Sequence, residues 1–164
     1  MDNNDTLSAL SSKYTSAQIF FLTCLRVIVG WHFLYEGWVK IVGSGWSAAG
    51  YLRAAPGPFA GLFSAIAGVS WITGAVDIIM SYGLLLIGLS LVLGIYSRIG
   101  YIAAGAFLLL FYISNPPLVG VKAMAGEGNY LIVNKNLVEL AAVMVLMFFP
   151  VGSIWGFDRL FMEK

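Results

Sequence analysis

Apolar residues in this chain gather in runs long enough to cross a bilayer, and the polar residues between them fall in short, well-marked breaks. A hydrocarbon core about 30 Å thick takes about 20 helical residues at 1.5 Å rise each. On that measure the first span runs from about Ala17 to Val42. The polar leader ahead of it carries Asp2 and Asp5 and keeps its distance from the apolar run, which argues against a cleaved signal peptide. The stretch from Phe59 to Ile95 is too long for one crossing. Divided near Gly68 to Ser70, it gives a short interfacial or re-entrant helix, Phe59 to Ala67, and a second span, Trp71 to Ile95. Ser97, Arg98 and Gly100 make a tight reversal into a third span, Ile99 to about Ser114. Asn115, Pro116 and Pro117 stop it, because proline lacks the amide donor and disfavours helix in the residue before it. After the loop VKAMAGEGNY, Val121 to Tyr130, a fourth span runs from about Leu131 to Phe149 and ends at Pro150. The expected fold is all-α: one integral membrane domain over residues 1–164, a polytopic four-helix bundle with the short helix between spans one and two.

Composition supports lipid as the surrounding medium. Apolar residues make up 60% of the chain and charged residues 10%, against about 45–50% and 25% in soluble domains. A net charge of +1 gives no electrostatic reason to expect nucleic acid. Cys24 is the single cysteine, so an internal disulfide or a CxxC redox pair is excluded. Basic residues divide almost evenly between the two ends of the spans. Arg98, in the only very short loop, favours both termini in the cytoplasm.

The charges inside the apolar runs carry the chemistry. His32, Glu36 and Lys40 follow one another at i, i+4 and share a helix face. Alternation of the spans places Glu36, Lys40, Asp77, Lys135, Asn136 and Glu139 in one half of the bilayer. An unpaired charge at the centre of a membrane helix costs about 2.5–3.5 kcal/mol, so these acids need partners. Lys40 and Lys135 stand near Glu36 and Glu139 in sequence, whereas Asp77 has no local cation. Asp77 is then protonated, hydrogen-bonded to Ser or Thr hydroxyls, or paired across helices with Lys40 or Arg26. Glu36, Asp77 and Glu139 are therefore the candidate proton-handling acids, with His32, Lys40, Trp38 and Asn136 lining a polar mouth and Arg26 a bundle-locking donor. Set against this is a structural reading, in which ion pairs only hold the helices together. The glycine-rich GSGWSAAG, Gly43 to Gly50, follows no strand and lacks GK[ST], so it is not a phosphate loop. No metal site and no bound cofactor is signalled by motif.

Several segments together resemble one family. They are RVIVGWHFLYEGWVK with Arg26, Gly30, Phe33, Gly37 and Lys40; GLLLIGLSLVLGIYSRIG from Gly83 to Gly100; NKNLVEL; and the closing WGFDRL. The pattern is similar to the DoxX/DoxD family of small four-helix membrane proteins. The resemblance implies a multi-pass protein of the bacterial or archaeal cytoplasmic (cell inner) membrane. Some members are described as the membrane subunit of a thiosulfate:quinone oxidoreductase. Others are tied loosely to redox complexes or left unassigned, so the resemblance bears on fold more than on function. One reading for this chain is a membrane subunit of a redox complex that works beside other protein subunits, with a quinone headgroup and proton site among the helices. Electrons then come from a partner, since no flavin, haem or iron–sulfur signature is present. The other reading is a non-catalytic scaffold or accessory subunit of a larger complex. A transporter or channel is a third, disfavoured because four helices without a repeat give little room for alternating access.

Overall fold

The computed structural model describes residues 12–43, 45–117 and 130–161. Among them the chain is helical, without a strand. The leader before residue 12 and the predicted loop up to residue 129 lie outside the described residues.

Helix α1, Ser16–Val42, begins at a capping box. Thr15 Oγ1 accepts from the Gln18 amide at 3.2 Å, and Gln18 Oε1 accepts from the Thr15 amide at 2.8 Å. Two otherwise orphaned N–H groups are thereby satisfied. Two short helices follow, α2 over Ala48–Ala54 and α3 over Ala60–Ala67, separated by Pro56 and Pro58. Within GSGWSAAG, Ser47 accepts from the Ala49 amide at 3.2 Å and starts α2. Helix α4, Ser70–Leu93, stops at Gly94, whose left-handed φ of 69° suits glycine. Helix α5 is Ser97–Ser114 and α6 is Lys135–Phe148. Beyond Pro150 come a single turn, α7 over Val151–Ile154, and a 3₁₀ segment over Phe157–Phe161.

The most extensive packing joins α1 to α4, and the next joins α5 to α6. Glycines set the first contact. A Cβ on Gly37 would strike the Leu85 backbone, and one on Gly88 would strike that of Leu34. The Ser81 and Gly88 stripe of α4 thus brings two backbones together in the manner of membrane helices. Leu91, Ala104, Leu108, Val143 and Leu146 fill the centre between the two pairs, with at most 1% exposure. A second, smaller core forms where α2 and α3 pack on each other around Leu52 and Phe63. Arg53 Nη2 ties the two by donating to the Ala67 carbonyl at 3.2 Å.

Three helices are long and apolar enough to cross a membrane: α1, α4 and α5. Helix α6 has 14 residues, which is about 21 Å at 1.5 Å per residue and short of a core of about 30 Å. Its far end nonetheless returns to the start of α1. The Tyr14 and Phe149 rings stand 5.6 Å apart edge to face, and those of Phe20 and Trp155 stand 6.5 Å apart.

Candidate functional site

Helices α1, α4, α5 and α6 leave between them a cleft of about 260 Å³, roofed by α2. Its walls are apolar, with Phe33, Leu84 and Leu108 among them, and its polar groups gather at one end. That end is assembled from local rules. The i, i+4 spacing on α1 turns His32, Glu36 and Lys40 to the cleft, and the first turn of α6 brings in Lys135 and Asn136.

His32 and Glu139 form the central contact. His32 Nδ1 lies 2.8 Å from one Glu139 carboxylate oxygen and 2.9 Å from the other. A carboxylate accepts only, so Nδ1 carries the proton, and Nε2 is left as the second face of the ring. The Glu139 side chain is 12% exposed and that of His32 is 43%. The acid is therefore sheltered while the imidazole reaches the opening. Such a pair can pass a proton between a ligand and the mouth.

Beside it, Lys40 Nζ donates to Glu36 Oε2 at 2.5 Å and to the Glu36 carbonyl at 3.2 Å. The same ammonium stands 5.3 Å over the Trp46 ring. On the opposite wall the Ser114 hydroxyl donates to the Phe111 carbonyl at 3.0 Å. Tyr51 Oη, 2.8 Å from Ser114 Oγ, is accordingly the donor in that contact.

Asn136 is the polar side chain of the cleft with unused capacity. It is 3% exposed, and its Nδ2 has no acceptor among the described protein groups. It sits in the first turn of α6, just after Asn134, whose side chain accepts from the Leu137 amide at 3.1 Å.

The other expected site residues lie elsewhere. Asp77 accepts from the Ala48 amide at 2.6 Å and from Ser47 Oγ at 3.3 Å, so its carboxylate caps α2 from a neighbouring helix and is not part of the cleft lining. Of its expected partners, a serine hydroxyl is present in Ser47, while neither Lys40 nor Arg26 pairs with it, and the shorter contact is to a backbone donor that side-chain counting does not reveal. Glu139 takes His32 as its partner, in place of the sequence neighbour Lys135. Trp38 is 56% exposed and off the cleft, and Trp46 lines it instead. Arg26 belongs to the other end of the bundle, where Nη2 donates to the Trp155 carbonyl at 2.8 Å. Tyr51 and Ser114 were missed. Only the Ser47 cap ahead of AAGYLRA signals that Tyr51 is helical and can face the cleft. Among the described residues no group of three His, Cys, Asp or Glu side chains is placed to hold a metal ion.

No protein-family model, characterised protein sequence or solved structure matches this chain.

Proposed function

We propose that this protein is a DoxX-like membrane subunit of a redox complex, and that its cleft receives the headgroup of a quinone. The observation that carries the reading is Asn136: a buried amide with an unused Nδ2 donor, in an apolar cleft also lined by His32, the partner of Glu139. A quinone offers what these groups lack, a ring for the apolar walls and a carbonyl oxygen for the amide. Reduction to the quinol takes two electrons and two protons. The electrons come from a partner subunit, and His32 with Glu139 passes protons from the mouth. In this reading α6 completes a four-helix bundle in the cell inner membrane, with both termini cytoplasmic. Glu36 and Lys40 shape the entrance, and Asp77 is assigned to holding α2.

The test is titration of the purified chain in detergent with a short-tailed quinone, followed by tryptophan fluorescence. Trp46 lies in the cleft wall, so binding gives saturable quenching. Asn136→Ala weakens binding about tenfold, the size of one lost hydrogen bond of about 1.4 kcal/mol, while Glu139→Gln, whose partner is His32, binds near the wild-type level; both retain helix content and thermal midpoint. Unsaturable quenching that is equal in all three proteins would remove the quinone reading and leave the scaffold.

A further inference from the structure

At the end of the bundle opposite the cleft, a second set of polar side chains is buried. Arg26, Ser97 and Tyr101 are 2%, 3% and 3% exposed. One arm of Arg26 is used, by the Trp155 carbonyl. Arg26 Nε and Nη1, Ser97 Oγ and Tyr101 Oη have no hydrogen-bond partner among the described protein groups. Asp158 closes the set. Its Oδ2 accepts from the Ser97 amide at 3.1 Å, and its own amide donates to the Gly94 carbonyl at 2.7 Å. The WGFD segment is thereby stitched to the turn between α4 and α5.

The groups gather at one place. Arg26 Nη1 lies against Gly94 and Gly156, while Ser97 Oγ and the Asp158 carboxylate both lie against Gly152. Arg26, Tyr101 and Asp158 are within electrostatic range of one another. Yet Arg26 and Asp158 make no direct ion pair, the described pairs being His32 with Glu139 and Lys40 with Glu36. Four buried polar atoms with unused capacity around one spot are what an internal water satisfies, since such a water makes about three hydrogen bonds. A charged pair within electrostatic range but without a direct contact can be joined by a bridging water. Charge selects against an anion. The guanidinium and the carboxylate already cancel, so a bound anion would leave a net negative charge in a dry place.

We propose that this chamber is a hydration site, in which ordered water joins the Arg26 guanidinium to the Asp158 carboxylate and the Tyr101 hydroxyl. The joint between α1, α5 and the C-terminal segment is then water-mediated. This site is independent of the cleft and of what the cleft binds.

Radiolytic footprinting of the detergent-solubilised full chain tests it, because a short X-ray pulse turns bound water into hydroxyl radical in place. The comparator is Leu146, which is 0% exposed, lies in the main apolar core and is outside the cleft lining. Corrected for intrinsic reactivity and for radical scavenging by the salt, Tyr101 is expected to oxidise several-fold faster than Leu146, equally in chloride, bromide or gluconate. Nitration by tetranitromethane is expected to modify Tyr96, which is 58% exposed, and to spare Tyr101. Oxidation of Tyr101 no faster than that of Leu146 would show the chamber to be dry and overturn the proposal. Protection of Tyr101 by chloride or bromide would replace water with an anion. Nitration of Tyr101 would show a chamber open to bulk solvent, which equally ends it.

Discussion

Asp77 shows how one carboxylate can be read in two ways. Its Oδ1 receives the Ala48 amide and the Ser47 hydroxyl, the work of an N-cap done from another helix. Replacement by Asn keeps an acceptor oxygen, so Asp77→Asn is expected to leave α2 in place. Asp77→Ala removes it at a cost of about 1 kcal/mol. Hydrogen exchange over Ala48–Ala54 reads the difference: faster in the Ala variant, near wild type in the Asn variant. Equal acceleration in both would mean that charge, not acceptance, holds α2. The Glu36 and Lys40 pair was legible because both partners lie on one helix face. The His32 and Glu139 pair joins residues 107 positions apart, and a single sequence carries no register between α1 and α6. Asp77 was legible only in part: a hydroxyl partner was among the expectations, but its shorter contact is to the Ala48 amide, and amides leave no mark in composition.

The helix pair α1 and α4 depends on what its glycines leave out. Gly37 and Gly88 each meet the facing backbone, whereas a Cβ on Gly74 of the same α4 meets nothing within 4 Å. Alanine at Gly88 therefore forces two backbones apart, and overpacking of this kind costs about 1–3 kcal/mol. Alanine at Gly74 only adds helix propensity, worth about 1 kcal/mol in the stabilising direction. Thermal midpoints in detergent are expected to fall for Gly88→Ala and to hold or rise for Gly74→Ala. A fall for both would show glycine flexibility, and not close approach, to be what α4 needs. The sequence marked these helices well, since apolar length and the breakers at Gly94, Pro116, Pro117 and Pro150 stand in the chain itself. Helix α2 was hidden because its seven residues, AAGYLRA, have neither length nor a long apolar face, and its stability comes from packing on α3 and from Asp77.

At the scale of the whole molecule, the open element is α6. Its 14 residues cover about two thirds of a hydrocarbon core of about 30 Å. It nevertheless runs from the middle of α1 to just before its start, with Glu139 against His32 and Phe149 against Tyr14. A helix that is too short can still cross where the bilayer thins or where flanking chain completes the path. The apolar Leu131, Ile132 and Val133 precede α6, and α7 follows it. We expect it to cross. In a Cys24→Ala background, single cysteines at Ile132 and Phe157, which are 66% and 48% exposed, should react with a membrane-impermeant maleimide from opposite sides of sealed vesicles. Cysteines at Ser47 and Tyr96 set the reference. Ser47 follows α1 and Tyr96 precedes α5, so Ser47 should share its side with Ile132, and Tyr96 with Phe157. Labelling of Ile132 and Phe157 from one side, with Ser47 and Tyr96 on opposite sides, would make α6 a helix leaning on a three-span core. The cleft would then open toward lipid along α6, and a ligand would enter sideways rather than through the mouth.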